Sequence, residues 1–475
     1  MIIRKTDILK ILIICFLCIS LISCKNKSPE EMLLITEVTG DVQNLNFITG
    51  ESWRFVPEAR IITINPEKPA SLKVLTGDFY SACYPEISYD GEYMLFAAQQ
   101  KEGDNWQIWE MKLDNQNARK ITSFKGNCID PAYLPGNRMV FTRLIENDTV
   151  KKTYGLCTCN LDGSALQQIT FGPSAGFAAS VLKDGRLLAI SRQLLPYEGN
   201  PMLMVLRPDG TKADIFYKGA EGSVLMSRGR ETEDGRIFFI ETEENNPLGG
   251  DVISIAYNRP LHSRINLTSG TGSHFNSILP LKSGRLLVSC RKPDSDHFAL
   301  YEFDPESKEA GKSVYDNPRY NVLDAVAALK YERPKKLPSE VDMGVKTGLL
   351  LCQDINFLCR PLTGNIPSLS EADKIEVLGI DSTYGVMEVE KDGSFYLKVM
   401  ADTPFRIRTL DKEGRVLNGP SSWLWLRPNE RRGCAGCHED PELVPVNRVV
   451  DAVRKQPVII PVHIPEVREK IVELE

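Results

Sequence analysis

The chain has 475 residues, 42% of them hydrophobic and 25% charged, which is enough sequence for two or three packed domains. Its formal net charge is −6 and its pI is near 5.7. The composition argues against a nucleic-acid partner, because such a partner requires a strongly basic surface.

The N-terminus resembles a bacterial export signal. Basic residues precede an apolar run over 11–22, which is too short to span a bilayer as a stop-transfer helix. The run ends in Leu21-Ile22-Ser23-Cys24, which resembles a lipobox, the signal for cleavage before the Cys and lipidation of that Cys. An ordinary cleaved signal or an uncleaved anchor is the alternative.

The lipobox interpretation predicts a signal peptide over 1–23 and a polar tether over 24–35. Several acyl chains on Cys24 suffice for stable anchoring without a transmembrane helix. We therefore expect a lipoprotein that is lipid-anchored to a bacterial membrane and faces the periplasm or the cell surface.

A turn of the type x-Gly between apolar runs recurs about every 48 residues in the first two thirds of the chain. Its five copies are centred on Asp90, Pro135, Asp184, Asp234 and Ser283. Gly accepts the positive φ of tight hairpins, and about four strands per period are typical of a β-propeller blade. We predict a β-propeller over 36–333 with six blades, seven being the alternative, closed by the early strand Arg60–Asn65.

A charged, proline-punctuated segment over 331–339 marks a domain boundary. The strand-like runs after it predict a small β-sandwich-like domain over 340–426, so the whole chain belongs to the all-β class. The last of these runs, 423–426, leads into a C-terminal segment over 427–475 whose clearest helix candidate is 447–456.

A Cys-x-x-Cys-His motif lies in this C-terminal segment, at Cys434, Cys437 and His438. Two thiols at this spacing add to the two vinyl groups of one haem, and the His is then held beneath the ring as the proximal iron ligand. We therefore expect one covalent haem c, provided that the chain is exported.

The same residues allow two other interpretations. A zinc site would combine them with His463, but structural zinc sites usually add a second Cys-x-x-Cys or a His-x3-His pair. A dithiol redox site would not need His438 and is expected in a thioredoxin-like βαβ unit, which this sequence does not show.

The succession of propeller repeat, strand-rich domain and haem motif resembles proteins related to the hydrazine synthase α subunit. The repeat is similar to TolB-type propellers. The C-terminal likeness rests on Glu390-Lys391-Asp392-Gly393-Ser394, Thr409-Leu410-Asp411-Lys412-Glu413-Gly414 and Arg427-Pro428-Asn429-Glu430-Arg431-Arg432-Gly433-Cys434-Ala435-Gly436-Cys437-His438-Glu439.

This resemblance implies a propeller followed by a haem-bearing region, with Cys434 and Cys437 as the attachment thiols and His438 as the iron ligand. The synthase subunit is larger, carries an additional c-type haem and works with partner subunits. Because this chain has one Cys-x-x-Cys-His motif, we do not expect hydrazine synthesis itself.

Several residues are candidates for the surroundings of the haem. His463 is the best distal iron ligand because it lies on the same tail, and Met400 or a propeller loop residue is a weaker candidate. Arg431 and Arg432 are candidate propionate contacts, the alternative being that both are solvated. The indoles of Trp423 and Trp425 either line the haem pocket or fill the sandwich core. The three propeller histidines are expected at the surface or in loops: His262, His274 and His297.

Seven cysteines remain after the signal, lipidation and haem motifs are assigned. We expect most to be buried core thiols, with Cys352 and Cys359 as the pair to test for a disulfide. The seven are Cys83, Cys128, Cys157, Cys159, Cys290, Cys352 and Cys359.

The leading hypothesis is a membrane-anchored monohaem c-type cytochrome-like lipoprotein in electron transfer, with the propeller as docking platform. Its partner would be a redox protein or a small molecule. A haem enzyme acting on a small, for example nitrogenous, substrate is one alternative, and a propeller scaffold with a structural haem is another. Two strong axial iron ligands favour electron transfer, whereas an open position allows small-molecule chemistry.

Overall fold

The computed structural model describes residues 32–40, 56–147, 151–220, 222–243, 246, 249–357, 371–436, 442 and 446–461. The described residues form strands, turns and a single short 3-10 helix, which confirms the all-β prediction. Eight sheets contain all of these strands; six belong to the propeller and two to the following sandwich.

The six propeller sheets follow one another along the chain, which confirms the six-blade prediction within the described residues. Each blade consists of antiparallel strands. In chain order, blade 1 has β1 (Leu33–Val38), β2 (Arg60–Asn65) and β3 (Lys68–Val74); blade 2 has β4 (Ser81–Ile87), β5 (Tyr93–Gln99), β6 (Gln107–Lys112) and β7 (Ala118–Lys120); blade 3 has β8 (Cys128–Leu134), β9 (Arg138–Asn147), β10 (Lys151–Asn160) and β11 (Gln167–Gln168); blade 4 has β12 (Ser174–Val181), β13 (Leu187–Gln193), β14 (Met202–Leu206) and β15 (Asp214–Tyr217); blade 5 has β16 (Ser223–Leu225), β17 (Arg230–Glu231), β18 (Arg236–Glu243), β19 (Asp251–Ala256) and β20 (Ile265–Asn266); blade 6 has β21 (His274–Pro280), β22 (Leu286–Arg291), β23 (Ala299–Asp304) and β24 (Glu309–Tyr315).

The ring is closed by a strand from the far end of the propeller. β25 (Asn321–Ala327) pairs antiparallel with β1, so blade 1 has the order β25-β1-β2-β3. The buried side chains of Leu33 and Ile35 then pack with Leu287 and Leu300 of blade 6. Closure therefore joins the first and last parts of the propeller sequence. The predicted closing strand, Arg60–Asn65, lies in this sheet, but β1 is the strand that pairs with β25.

The repeated x-Gly positions are the hairpin turns between the first two long strands of blades 2 to 6. Each Gly has a positive φ, between 79° and 89°. Gly185 shows why a side chain is excluded at one of these turns, because a Cβ there would lie 2.1 Å from the carbonyl oxygen of Lys335.

That contact belongs to the segment between the two domains, which crosses the propeller over these turns. The backbone N–H of Tyr331 donates to Tyr89 at 3.0 Å, and that of Lys335 donates to Lys183 at 3.1 Å. Further along, the N–H of Glu340 donates to the Asp209 carboxylate at 2.7 Å. The inter-domain segment is therefore packed along blades 2 to 4, and the second domain begins beside blade 4.

The second domain consists of two facing four-stranded sheets, with the orders β32-β26-β29-β33 and β28-β27-β30-β31. Its core combines Leu350 and Phe395 of the first sheet with Ile375 and Ile407 of the second. The strands are β26 (Thr347–Cys352), β27 (Lys374–Leu378), β28 (Thr383–Glu388), β29 (Phe395–Met400), β30 (Arg406–Leu410), β31 (Val416–Asn418), β32 (Arg431–Cys434) and β33 (Val458–Ile460).

Two local predictions were wrong. The run 423–426 is not a strand and makes an isolated bridge between Leu424 and Phe405. The helix expected over 447–456 is reduced to the 3-10 turn Asp451–Arg454. Its backbone N–H groups are used outside the helix, since Asp451 donates to the Asp392 carboxylate at 2.9 Å and Ala452 to the Ser394 hydroxyl at 3.0 Å.

Candidate functional site

The first thiol of the Cys-x-x-Cys-His motif ends a strand of the sandwich. Strand β32 runs parallel to β26, and the pairing places Cys434 opposite Cys352. Backbone N–H groups of Gln353 and Asp354 donate to the carbonyls of Cys434 and Ala435 at 3.0 and 3.2 Å. The start of the motif is therefore continuous with a rigid sheet.

The glycine of the motif is packed against a backbone turn of the same domain. A Cβ on Gly436 would lie 2.0 Å from the carbonyl oxygen of Phe357. No larger residue fits unless the turn over 353–357 or the motif moves. The motif is thus held by strand pairing on one side and by this close contact on the other.

Cys434 lines a cavity of about 220 Å³ between propeller blade 4 and the sandwich. The sandwich contributes Leu350 and Phe395 to its apolar wall, and blade 4 contributes Met202 and Met204. Its polar groups come from both domains and include Ser174, Ser191, Gln193, Ser421 and Ser422. A partly apolar pocket with a few polar groups is the usual form of a cofactor or small-molecule site.

Trp423 and Trp425 line this cavity and also contact the propeller. The Trp423 indole N–H donates to the carbonyl of Leu195 at 2.7 Å, and that of Trp425 donates to Gly210 at 3.3 Å. Trp425 packs in a core cluster with residues of blades 3 and 4. The two indoles therefore form the inter-domain wall of the pocket, and the alternative that they fill the sandwich core was wrong.

The two arginines before the motif have different environments. Arg431 is exposed. Arg432 lines the cavity, its side chain is 9% exposed, and one of its guanidinium nitrogens donates to the carbonyl of Ala213. The other terminal nitrogen, Nη1, is buried and has no hydrogen-bond partner within the described structure. Arg432 is therefore the arginine that can bind an anionic group in the pocket.

A network of polar contacts holds the two domains together beside the cavity. The Arg427 guanidinium pairs with Asp402 at 2.6 Å, donates to the carbonyl of Asp209 at 2.9 Å, and stacks over Phe171. Burial raises the pKa of the Asp402 carboxyl, although the Arg427 cation opposes this rise. Because Arg427 bridges both domains, it fixes the geometry of the pocket that lies between them.

Several of the predicted site residues lie outside the described residues: Cys24, Cys437, His438 and His463. Glu442, four positions after His438, is described. Its carboxylate accepts a hydrogen bond from the backbone N–H of Leu261 at 2.8 Å, and Leu261 lines the cavity. The chain on both sides of Cys437 and His438 is thus attached to the walls of one pocket.

The weaker distal candidate, Met400, does not line this pocket. Its side chain is 47% exposed and borders a separate apolar cavity of about 160 Å³ within the sandwich. The thioethers that do line the Cys434 cavity belong to Met202 and Met204. Sequence reasoning missed these two thioethers, because they are more than 200 residues from the motif and only their i, i+2 spacing places them on one strand face.

The remaining cysteines of the described chain are buried, as predicted. Burial raises the pKa of the thiols of Cys128, Cys157 and Cys159 to about 12 and that of Cys290 to about 11. These are unreactive core thiols, because the thiolate is the nucleophile. Cys359 lies outside the described residues, so its pairing with Cys352 stays a prediction.

The described residues of the pocket fit a haem. Cys434 contributes a thiol to the cavity wall, indoles and thioethers form an apolar wall, and the buried guanidinium of Arg432, with one nitrogen unpartnered, suits a propionate. The described residues contain no group of three or more His, Cys, Asp or Glu that could hold a metal ion. Since Cys437, His438 and His463 are not described, the zinc interpretation stays a prediction.

Comparisons with known proteins agree with this architecture. Residues 367–439 match the model of the hydrazine synthase alpha subunit middle domain, a range that covers much of the sandwich and the whole Cys-x-x-Cys-His motif. The chain resembles the hydrazine synthase α subunit. Over 511 aligned residues it is 23% identical to hydrazine synthase subunit alpha of Kuenenia stuttgartiensis, covering 81% of this chain and 63% of that protein.

The structural comparison extends this similarity to the fold of both domains. The structure of Kuenenia stuttgartiensis hydrazine synthase matches with a TM-score of 0.78 at 21% identity, over 90% of this chain and 72% of that chain. TolB from Acinetobacter baumannii matches with a TM-score of 0.45 at 14% identity, over 63% of this chain and 67% of that chain. In the sequence alignment the chain spans 63% of the length of the α subunit that it resembles, which is less than two thirds.

No helix among the described residues is long and apolar enough to cross a membrane.

Proposed function

We propose that the protein carries one covalent haem c between propeller blade 4 and the sandwich and acts as a haem oxidoreductase on a small nitrogenous substrate. The haem would be attached through Cys434 and Cys437, with His438 as proximal iron ligand. The observation that carries this proposal is the position of Cys434 in an inter-domain pocket that is also lined by Arg432, whose Nη1 is buried without a hydrogen-bond partner in the described structure.

Each group that lines the pocket has a role in this proposal. Arg432 holds a propionate by a charge-assisted hydrogen bond, and its burial makes that bond stronger than one in water. Trp423 and Trp425 exclude water from one side of the ring. The hydroxyl and amide groups of Ser191 and Gln193 offer hydrogen bonds to a small polar substrate. The haem, when bound, supplies the electron-transfer chemistry at the iron.

The similarity to a hydrazine synthase subunit supports the choice of a haem enzyme with a nitrogenous substrate. Hydrazine synthesis itself is outside the proposal, because the chain spans 63% of that subunit and has one Cys-x-x-Cys-His motif. The relative is a subunit of hydrazine synthase, which also supports a protein partner for this chain. A redox partner protein would then exchange electrons with the haem.

Absorption spectra of the protein expressed with a c-type maturation system test the enzyme proposal. We expect a covalently bound haem whose reduced spectrum shifts when carbon monoxide is added, because an open iron position binds it. Failure of haem to attach would overturn the proposal. A reduced spectrum that carbon monoxide leaves unchanged would indicate two strong axial ligands and would reject substrate chemistry at the iron.

The second candidate function is electron transfer, and the thioethers of Met202 and Met204 in the pocket wall favour it. A Met sixth ligand would make the haem resemble that of electron-transfer cytochromes c. The spectra distinguish the two functions: a thioether-ligated ferric haem has a weak near-infrared band that Met202→Ala or Met204→Ala would abolish.

We also propose that Cys24 is lipidated and anchors the protein to a bacterial membrane, facing the periplasm or the cell surface. The apolar run and the lipobox-like residues support this proposal. Incorporation of labelled palmitate into the wild-type chain, and its loss in Cys24→Ala, are the expected results. Labelling of both proteins, or of neither, would reject Cys24 as the anchor.

A further inference from the structure

The thiol of Cys352 lies beside the haem-attaching thiol of Cys434. The two residues are direct partners on the parallel strands β26 and β32. Neighbouring strands are about 4.8 Å apart, and disulfides form between residues whose Cα atoms are about 4.4–6.8 Å apart. The strand pairing alone therefore brings these two cysteines within the Cα range of a disulfide.

Both side chains also point in the same direction. Leu350 and Cys352 alternate along β26, Arg432 and Cys434 alternate along β32, and all four line the cavity. The register is fixed on both sides of the pair, because the N–H of Leu349 donates to Glu430 at 2.8 Å and that of Gln353 donates to Cys434 at 3.0 Å. The two sulfurs thus share one face of the sheet.

We propose that Cys352 and Cys434 form a disulfide in the haem-free protein and that this bond must be reduced before haem attaches. The second half of the proposal rests on the proposed function, since it needs Cys434 to add to a haem vinyl group. The first half concerns the apoprotein alone. Cys352 is then a resolving thiol that protects the attachment site in an oxidising compartment.

The exposure of the two residues gives the order of the chemical steps. Cys434 is half-buried and Cys352 is 1% exposed, so a small disulfide reaches Cys434 first. Exchange at Cys434 gives a mixed disulfide and releases one small thiol. The Cys352 thiolate then attacks the Cys434 sulfur and displaces the second small thiol. Overall, two protein thiols are oxidised to one disulfide, and the small disulfide is reduced to two thiols.

Reduction reverses this chemistry before attachment. A reducing dithiol delivers two electrons and two protons, which restores both thiols and converts the dithiol to its own disulfide. The S–H of Cys434 can then add across the C=C bond of a vinyl group without further oxidation or reduction. The propeller thiols of Cys128, Cys157 and Cys159 do not compete in exchange, because they lie in the core of the propeller, away from strands β26 and β32.

Peptide mapping of the full-length apoprotein tests the disulfide. The protein is incubated with oxidised glutathione, alkylated and digested without reduction. We expect a linked peptide that contains Cys352 and Cys434, both in the wild type and in Cys437→Ser, which removes the competing bond within the motif. The control Cys290→Ser, which changes a buried propeller thiol, should give the same linked peptide.

Two results would overturn the proposal. One is a wild-type map in which Cys434 is linked to Cys437 alone, or Cys352 to Cys359 alone. The other is complete alkylation of Cys434 in oxidised Cys437→Ser. Neither result requires a change at Cys352, so a folding defect of a Cys352 variant does not affect the test.

Haem attachment in vitro tests the second half of the proposal, that the disulfide must be reduced before haem attaches. We expect oxidised Cys437→Ser to bind haem covalently only after a dithiol reductant is added, and the double variant Cys352→Ser, Cys437→Ser to bind it without reductant. An equal requirement for reductant in both would overturn the protective role. If no variant binds haem even after reduction, the proposed function fails. The linked peptide still shows whether Cys352 and Cys434 form a disulfide in the apoprotein.

Discussion

The carboxylate of Glu430 accepts a hydrogen bond from the backbone N–H of Lys212 at 2.8 Å, which joins two residues 218 positions apart. The second carboxylate oxygen accepts the backbone N–H of Arg427, also at 2.8 Å. Glu430 is 1% exposed and stands directly before strand β32. One acidic side chain therefore connects the propeller to the strand that ends in Cys434.

Replacing Glu430 by Ala should destabilise the protein by about 2–4 kcal/mol. The change removes the acceptor of one buried N–H group, that of Arg427, and of one partly buried N–H group, that of Lys212; an unpaired group costs about 1–3 kcal/mol when it is fully buried. Urea unfolding followed by tryptophan fluorescence measures the loss, because Trp423 and Trp425 lie at the same interface. Glu340→Ala is the control: its surface pairs with Arg207 and Lys212, both at 3.5 Å, should contribute less than about 1 kcal/mol.

The stability that Glu430 contributes should fall as pH rises. Burial raises the pKa of this carboxyl above its ordinary value of 4.5, although N–H groups of Arg427 and Lys212 oppose the rise. The folded state therefore favours the protonated form. The stability that this carboxyl contributes is fully present below pH 4.5 and is lost as pH rises through its higher folded-state pKa.

The measurement is the free energy of unfolding of the wild type minus that of Glu430→Gln over a pH series. We expect this difference to decrease with rising pH by at most about 1.4 kcal/mol per unit for a single proton. A difference that increases with pH would mean that the folded protein binds the ionised carboxylate more favourably, contrary to the effect of burial.

The propeller was predictable because its signal is local. Each copy of the repeat places a Gly where the backbone needs a positive φ, as at Gly185 and Gly284. Alternation of apolar residues within each run then sets one strand face inward. The same patterns predicted the sandwich strands over 347–410, and the spacing of the Cys-x-x-Cys-His motif predicted the haem site.

The indoles and Arg432 were predicted as neighbours of the motif, but the propeller wall of the site was not predictable, because it depends on contacts between distant segments. Nothing near Met204 in the sequence indicates that it shares a pocket with Cys434. The helix expected over 447–456 failed for a similar reason. The carboxylate of Asp392 and the hydroxyl of Ser394, more than 50 residues earlier, accept the backbone N–H groups that a helix would have used.

Gly185→Ala should destabilise the protein more than Gly284→Ala does. Both residues have a positive φ, 89° and 83°, so each substitution costs about 1–2 kcal/mol in backbone strain. A Cβ at Gly185 also meets the carbonyl oxygen of Lys335 at 2.1 Å, whereas one at Gly284 meets nothing within 4 Å. Thermal unfolding measures both, and equal losses would show that the inter-domain segment does not pack on this turn.

Arg432→Leu should lower the reduction potential of the attached haem, and Arg431→Leu should leave it nearly unchanged. Both variants remove one positive charge from the same strand. Arg432 is buried in the pocket, where its cation disfavours the ferric state, whereas the charge of exposed Arg431 is screened by water. Spectroelectrochemical titration measures the potentials. Equal shifts in the two variants would place the haem away from Arg432.

Gly436→Ala should reduce covalent haem attachment, while Gly433→Ala should not. Gly433 directly precedes Cys434, Gly436 lies two positions after it, and both line the cavity, so the two substitutions form a matched pair. A Cβ at Gly433 meets nothing within 4 Å, but one at Gly436 would lie 2.0 Å from the carbonyl oxygen of Phe357. Relief of that overlap must move the motif or the turn over 353–357, at a cost of about 1–3 kcal/mol. Haem staining of denaturing gels, normalised to protein, measures attachment after expression with a c-type maturation system. Equal staining of both variants and the wild type would show that attachment tolerates displacement of Cys434 from the register set by β26.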